Sequence, residues 1–430
     1  MEHIVIIGNG IAGVTLARNI RKLSNHTITI VSSETDYFFS RTALMYVFMG
    51  HMKFEHTVPF EVDFWSKNNI NLVHKHVIAV KTDQNLITLD DKSSIQYDKL
   101  VIATGSKSNK FGWKNQDANG VLGLYHKQDL DNLENLSKNC KKAVVVGGGL
   151  IGIELVEMLL SRNIDVTFLV REKSFWSTIL PKQESEMITK HIRDHHVQLR
   201  LETSLDEIIT DDNNNAIAIK TDKGEIINCT IVGLTVGVTP NIDFLKNSNI
   251  SIEKGVKVNR YLQTSVPNVY AIGDCAEQEQ AIDKRRPIEA VWYTGKMMGE
   301  TLAQTLVGKP MQYNPGNWFN SAKFFDIEYQ TYGWVFAQPL ENETHFYWQH
   351  KSQNKAVRLV FDSVNRTFIG INTFGIRMRH EFFDTVLNNS KSVDYVIENL
   401  SKANFDPEFF TKYENDIKQK FNEQHLLQIV

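Results

Sequence analysis

The chain carries the pattern G-x-G-x-x-G twice, each copy set between an apolar run and an apolar helical stretch. The first is Gly8-Asn9-Gly10-Ile11-Ala12-Gly13, entered from Ile4-Val5-Ile6-Ile7. The second is Gly147-Gly148-Gly149-Leu150-Ile151-Gly152, entered from Ala143-Val144-Val145-Val146. In such a loop the first glycine permits a tight turn. The second admits a pyrophosphate against the backbone, and the third lets the helix pack near the strand. The helix N-terminus then presents free N–H groups and a positive dipole end to phosphate. Each copy is followed, about 20 residues on, by an acid at the end of the next strand, placed for ribose hydroxyls. Glu34 follows Thr27-Ile28-Thr29-Ile30-Val31, and Arg171-Glu172 follow Val166-Thr167-Phe168-Leu169-Val170. One loop is a weak signal. Two predict an α/β chain with two Rossmann-like three-layer domains that hold two dinucleotides together. FAD and a nicotinamide cofactor are the pair such a chain implies, and hydride transfer is their chemistry.

The length of 430 residues fits two or three domains. A net charge of −3 gives no electrostatic basis for nucleic-acid binding. No apolar run approaches the roughly 20 residues of a membrane span. The first strand begins at His3 or Ile4, which leaves no room for a leader, so a cytoplasmic location is expected. The three cysteines, Cys140, Cys229 and Cys275, are far apart and show neither a CxxC nor a metal-ligand spacing. No metal is expected, and Cys275 is expected to pack rather than react.

Short strands are predicted at 72–73, 77–80, 86–89 and 99–103, and Ser106 to Gly120 reads as a polar hinge. Residues 141–237 repeat the strand, loop, helix, strand scheme, with a helix near 183–195 and a hairpin turn at Asn213-Asn214-Asn215. A strand at 269–272 precedes a helix expected from about Glu289. From about 313 the chain turns aromatic and reads as strands to about 374, then helices. At its end Phe410, Tyr413, Ile417 and Phe421 recur at helical spacing, a face expected to pack on the core. The expected division is an FAD-binding domain at 1–112 and 238–312, an NAD(P)H-binding domain at 113–237, and an α+β domain at 313–430.

Beyond the loops, several segments resemble the two-dinucleotide-binding-domain flavoproteins of the pyridine nucleotide-disulfide oxidoreductase superfamily. Within them the chain looks most similar to the ferredoxin, rubredoxin and putidaredoxin reductase group that includes apoptosis-inducing factor. Ala103-Thr104-Gly105 resembles the group's ATG segment, and Val236-Gly237-Val238-Thr239-Pro240-Asn241 its crossing between domains. The run Thr264 to Ala276 resembles its second FAD motif, Ile288-Glu289-Ala290-Val291 its I-E-S-V segment, and Trp318-Phe319-Asn320-Ser321 its F-W-S segment. The resemblance implies that Gly8, Gly10, Ile11, Ala12, Gly13, Glu34, Arg41, Val77, Ala103, Thr104, Gly105, Gly273 and Asp274 bind FAD. Asp274 would accept from the ribityl hydroxyls and Glu34 from the adenosine ribose. It likewise implies that Gly147, Gly149, Leu150, Ile151, Gly152, Glu154, Arg171, Glu172 and Gly237 bind NAD(P)H. Glu154 and Glu289 are placed at the reacting centre, Glu154 toward the nicotinamide, with Glu289 and Trp318 around the isoalloxazine. A glutamate inside the apolar helix Leu150-Ile151-Gly152-Ile153-Glu154-Leu155-Val156 is costly without a partner, which favours a functional role.

The function implied is an FAD-dependent NAD(P)H oxidoreductase whose electrons leave for an iron–sulfur or rubredoxin-type protein. Disulfide reductases of this fold need cysteine near the flavin, and none lies between Glu34 and Gly50. Two alternatives stay open. Thr42-Ala43-Leu44-Met45-Tyr46 also resembles a segment of type II NADH:quinone dehydrogenases, which would give a quinone acceptor and at most peripheral membrane contact. A slow, NADH-binding flavoprotein sensor is the other. Tyr46 stands where the group has lysine, and residues past 335 match the group poorly. An acid at the second strand end favours NADH whereas arginine there accommodates NADPH. The chain has both and NADH is favoured. The oligomeric state stays open.

Overall fold

The computed structural model describes residues 1–406, 408–409 and 411–426. Two compact units emerge from the contacts. The first comprises Met1–Gly112, Val121–Asn139 and Leu234–Pro315; the second comprises Trp113–Gly120, Cys140–Gly233 and the residues from Gly316 onward.

The first unit is built on a five-stranded sheet in the order Val269–Ala271, Lys99–Ile102, His3–Ile7, Thr27–Ser32, Ile70–His74. Every neighbouring pair is parallel. Parallel strands are covered on both faces, so they read as unbroken apolar runs; Ile4, Val5 and Ile6 are fully buried. The first glycine loop opens the helix Ile11–Leu23, which buries Val14, Leu16, Ala17 and Ile20. Arg21 and Lys22 in its last turn complement the dipole. This helix packs on Trp292–Leu306. A Cβ on Gly299 would lie 2.6 Å from the Ala12 carbonyl oxygen, so a bare glycine sets that approach. The helix expected from Glu289 begins at Trp292, because Val291 is extended (φ −133°, ψ 132°) and Glu289 is drawn into an ion pair described below. An antiparallel sheet, Val77–Lys81, Leu86–Leu89 and Ser94–Gln96, adds to this unit. The expected hinge is not all loop: Ser106–Ser108 pairs antiparallel with Val238–Pro240.

In the second unit Gln198–Leu201, Asp165–Val170, Lys142–Val146 and Ile231–Leu234 lie side by side in that order, the first three parallel. The second glycine loop opens the helix Leu150–Ser161. A further helix, Lys182–Asp194, buries Met187, Ile188 and Ile192. Asn213-Asn214-Asn215 turns between two antiparallel strands, Leu205–Thr210 and Ala216–Thr221, with Asp211 Oδ1 accepting from the N–H groups of Asn213 and Asn215. The aromatic segment forms a five-stranded antiparallel sheet ordered Phe319–Phe324, Ile327–Gly333, Phe368–Phe374, Ala356–Asp362, Glu343–Gln349. Helices from His380 onward cover it. Ile417 and Phe421, on the helix Glu414–Leu426, are buried in that core, with Tyr413 packed against it; Phe410 lies outside the described residues.

The stretch Cys140–Gly233, which carries the second glycine loop, and the aromatic sheet share the second unit. Glu184, fully buried, accepts from Arg358 Nε and Asn372 Nδ2, each at 3.0 Å, while Arg358 Nη2 donates to Gln183 at 2.6 Å. A buried charge pair is tolerable only when its remaining hydrogen bonds are met in this way. Among the described residues no helix is long and apolar enough to cross a membrane.

Candidate functional site

In the first loop Gly8 has φ +117°, and a Cβ there would lie 2.1 Å from the Ala103 carbonyl oxygen. A Cβ on Gly13 would lie 2.1 Å from the Gly8 carbonyl oxygen. Neither position admits a side chain. At Gly10 a Cβ would meet nothing within 4 Å. The first and third glycines are therefore packing requirements of the protein itself, and the middle one borders open space at the N-terminus of the helix. The second loop resembles the first at its first two motif glycines. Gly147 has φ +116°, and a Cβ on Gly149 would meet nothing within 4 Å. Sequence spacing passed over Gly148, whose Cβ would sit 2.8 Å from Val170 Cγ1.

Around the first loop the structure gathers residues from distant segments. Arg41 forms a two-pronged pair with Glu34, Nη1 to Oε1 at 2.8 Å and Nη2 to Oε2 at 2.6 Å. The Lys127 N–H donates to Glu34 Oε1 at 2.9 Å. Burial pushes the Glu34 carboxyl up, but hydrogen bonds from His126 and Arg41, with the Arg41 charge, bring it down to about 2. Arg41 also donates to the Tyr125 carbonyl and lies 4.7 Å over the Tyr125 ring. The Tyr125 hydroxyl donates to Asp274 Oδ2 at 3.1 Å and accepts from Ser106 N–H at 3.0 Å. Burial raises the Asp274 carboxyl, against the pull of Tyr125 and Arg41. Gly105 (φ +64°) adjoins this group, since a Cβ there would come 3.0 Å from the Tyr125 hydroxyl. Gly273 (φ +74°) faces Ala12, its Cβ position 3.1 Å from Ala12 Cβ. Thr104 donates from Oγ1 to Asn241 O at 2.7 Å. Tyr125 links these groups and was not expected from sequence. Val77 stands apart, buried in the apolar core of the unit.

Glu289 is paired with Arg285, Nη1 to Oε2 at 2.9 Å, and accepts from Thr294 Oγ1 at 3.3 Å. Burial raises its carboxyl, partly countered by the Arg285 charge. Arg285 precedes Glu289 by four residues, but Pro287 lies between them and the segment is not helical, so the pair is closed by the tertiary structure. Gly237 (φ +93°) belongs to the first unit, where its carbonyl accepts from Asn109 N–H at 3.0 Å.

Glu154, in the second unit, sits in the helix that follows the second loop. Its carboxylate makes no hydrogen bond or ion pair among the described residues. Burial, then the charge of Glu157, pushes it up to about 7. Glu157 is itself paired with Lys323 at 3.0 Å. Arg171 Nε donates to Glu172 Oε1 at 2.8 Å; the arginine side chain is 79% exposed and the glutamate 20%. Trp318 stacks on Trp334 with centroids 5.7 Å apart, and Trp334 on Phe336 at 5.7 Å.

All three cysteines are buried and free. Burial raises Cys140, pushes Cys229 up to about 12 and Cys275 up to about 11. The thiolate is the reactive form, so none is primed as a nucleophile near neutral pH.

A family model described as pyridine nucleotide-disulphide oxidoreductase matches residues 2–299. Among curated proteins, the chain is 28% identical over 319 residues to the assimilatory nitrate reductase electron transfer subunit of Bacillus subtilis (strain 168), covering 74% of this chain and 40% of that protein. It thus spans less than half the length of that relative. It is 26% identical over 427 residues to the coenzyme A disulfide reductase of Staphylococcus haemolyticus, covering 93% of this chain and 94% of that one. Among solved structures, an NAD-dependent persulfide reductase from A. fulgidus superimposes with a TM-score of 0.86 at 19% identity, over 99% of this chain and 84% of that one. The last two likenesses run past residue 335, so the fold of the C-terminal region is shared as well.

Proposed function

The chain belongs to the pyridine nucleotide-disulphide oxidoreductase family, which binds FAD and NAD(P)H, and we propose that it is an FAD-dependent NAD(P)H oxidoreductase that passes electrons to a protein acceptor. The reading is carried by the two loops: each has its middle glycine open at a helix N-terminus, where a pyrophosphate would take up the free N–H groups. Bound together, FAD and NAD(P)H supply hydride transfer, and the flavin can release its electrons singly.

The residues divide as follows in this proposal. Residues 1–112 and 238–312 hold FAD, with Val121–Asn139 of the same compact unit supplying Tyr125 beside Asp274; the remainder of 113–237 holds NAD(P)H, and 313–430 form the α+β domain. Glu34 keeps its ribose role because Oε2, which among the described residues accepts from Arg41 alone, retains a lone pair. Asp274 accepts from the ribityl chain beside Tyr125. Glu289, oriented by Arg285, serves the isoalloxazine from the first unit, and Glu154 serves the nicotinamide from the second. Glu172, the less exposed of the pair at the second strand end, grips the adenosine ribose of NADH, and Arg171 neutralises it.

The acceptor class follows from the thiols. With every cysteine buried, electrons leave the flavin directly instead of through a disulfide. The chain is therefore not proposed to share the reaction for which its staphylococcal relative is named. An iron–sulfur or rubredoxin-type protein fits, as does the name of the Bacillus relative, an electron transfer subunit. The test is anaerobic titration of the purified protein with NADH and NADPH. A yellow protein bleached by NADH supports the reading; a protein that retains no flavin, or whose flavin neither nucleotide bleaches, removes it. Steady-state rates with ferredoxin, rubredoxin and a soluble quinone then choose the acceptor.

A further inference from the structure

The helix Lys182–Asp194 ends in the sequence His191-Ile192-Arg193-Asp194-His195, which puts two imidazoles one turn apart on the same face. Their rings are 4.4 Å apart, centroid to centroid. The hairpin joining Phe319–Phe324 to Ile327–Gly333 brings Asp326 to them. Asp326 Oδ1 lies 2.6 Å from His191 Nε2 and 3.8 Å from His195 Nε2, and one donor atom from each residue falls within 4.8 Å of the other two. From this geometry we propose that His191, His195 and Asp326 form a binding site for a divalent transition-metal ion of the zinc class. The site would tie the helix of the nucleotide-binding stretch to the aromatic sheet within the second unit.

Three features of the surroundings support the donor set. His195 Nδ1 donates to the His191 carbonyl at 2.9 Å, so in the neutral ring the Nε2 lone pair faces the cluster. A metal-bound histidine characteristically has its other nitrogen held in this way. The Phe325 ring stacks on His195 at 4.1 Å and 11°, which fixes the imidazole plane and walls one side from water. Phe325 itself is the first residue of the two-residue hairpin turn, at φ +56°, where a bulky side chain is strained and glycine would be preferred. The strained turn is what carries both Phe325 and Asp326 to the helix. Strain kept in a folded chain is a pointer to a site.

His191 is the donor that must adjust. Its Nδ1 accepts from Asn354 Nδ2 at 2.9 Å, so Nε2 carries the proton and donates it to Asp326. Binding moves that proton to Nδ1, where the Asn354 carboxamide, turned end for end, accepts it through its oxygen. Nε2 is then free for the ion, with no net proton released. Ligands at about 2.0–2.1 Å in a tetrahedron lie roughly 3.3 Å apart, so the two Asp326 contacts open and close by well under 1 Å, while the two imidazole nitrogens, within 4.8 Å of each other, draw together by at most about 1.5 Å. Water takes the fourth position. Two imidazoles and a carboxylate suit zinc, nickel or cobalt better than calcium or magnesium.

The 430-residue flavoprotein, stripped with a chelator, is dialysed to equilibrium against Zn²⁺ and the bound metal is counted. One ion per chain is expected. His195→Gln and Asp326→Asn, both at accessible positions, should each weaken binding by about 10-fold or more, the scale seen when even outer partners are lost. His196→Gln, outside the cluster, should bind like the native chain. Zn²⁺ should raise the melting temperature of the native chain and of His196→Gln, and leave that of His195→Gln unchanged. The proposal is overturned if no stoichiometric ion is bound, or if His195→Gln binds and is stabilised as the native protein is. In the latter case the contacts are only an ion-free hydrogen-bonded clamp.

Discussion

Glu154→Gln should make the protein more stable at alkaline pH while leaving it unchanged in acid. The carboxyl rises from 4.5 to about 7 in the folded chain, first through burial and then through the charge of Glu157. An acid with a raised folded pKa keeps its proton after the unfolded chain has lost it. Its contribution is fully present below about pH 4.5 and is lost as pH climbs through about 7. At about 1.36 kcal/mol per pH unit, the loss amounts to about 3 kcal/mol. Glutamine has nearly the same shape and cannot ionise, so it avoids that loss. Urea midpoints of the two proteins should coincide near about pH 4.5 and diverge to a full separation by about pH 8.5, the variant being the more stable. Glu157→Gln should shrink the divergence by removing the second cause. An offset between native and Glu154→Gln that does not change with pH would refute the argument. If Glu154 also meets the nicotinamide, NADH affinity of the native enzyme should change through pH 7 and be flat in the variant.

The glycines give a paired test. Gly8→Ala forces a Cβ onto the Ala103 carbonyl and should misfold the first unit or lower its melting temperature sharply, whereas Gly10→Ala should fold normally and lose flavin, as read by circular dichroism and the absorbance ratio of flavin to protein. Arg285→Ala leaves the Glu289 carboxylate buried without its cation and should cost about 3–5 kcal/mol in denaturant unfolding, most of it recovered in the double variant with Glu289→Gln. Glu172→Ala should raise the KM for NADH by about 10-fold with little change in kcat, the expected loss of a charge-assisted bond to a ribose hydroxyl, and should narrow the gap to NADPH. Replacing all three cysteines with alanine should leave electron transfer from NADH unchanged; a large loss of kcat would restore a thiol mechanism.

What could be read beforehand was what is local. The glycine spacing, the acids at the strand ends and the alternation of aromatic strands each depend on neighbours within about 20 residues. The long-range closures could not be read. Tyr125 joins Arg41 and Asp274 from 84 and 149 residues away, and no spacing announces that. His191 and His195 had a readable interval, but Asp326, 135 residues from His191, had none. Gly148 hid in its own motif, because its constraint is the Val170 side chain across the sheet. The late start of the helix at Trp292 came from a tertiary pull: the apolar pattern runs through Ile288 and Val291, but Glu289 answers Arg285 and Thr294.

The two loops, alike in spacing, differ in electrostatic surroundings, and that difference bears on which nucleotide stays. Near the first loop the charges are already answered: Glu34 is held at about 2 by Arg41 and its neighbours, and Arg41 stands between Glu34 and the Tyr125–Asp274 pair. A ligand seated there meets the Glu34–Arg41 ion pair, which stays charged far below neutral pH because Glu34 is held at about 2, as suits a resident cofactor. Beside the second loop Glu154 has no partner among the described residues and burial pushes its carboxyl up to about 7, while Arg171 is largely exposed. A ligand seated there changes the charge state of the site on entry and on leaving. Release of the nucleotide should therefore be coupled to a proton near neutral pH at the second site, through Glu154. Isothermal titration of NADH in buffers of different ionisation enthalpy would detect that proton. Native protein should show a buffer-dependent heat near pH 7, and Glu154→Gln should not.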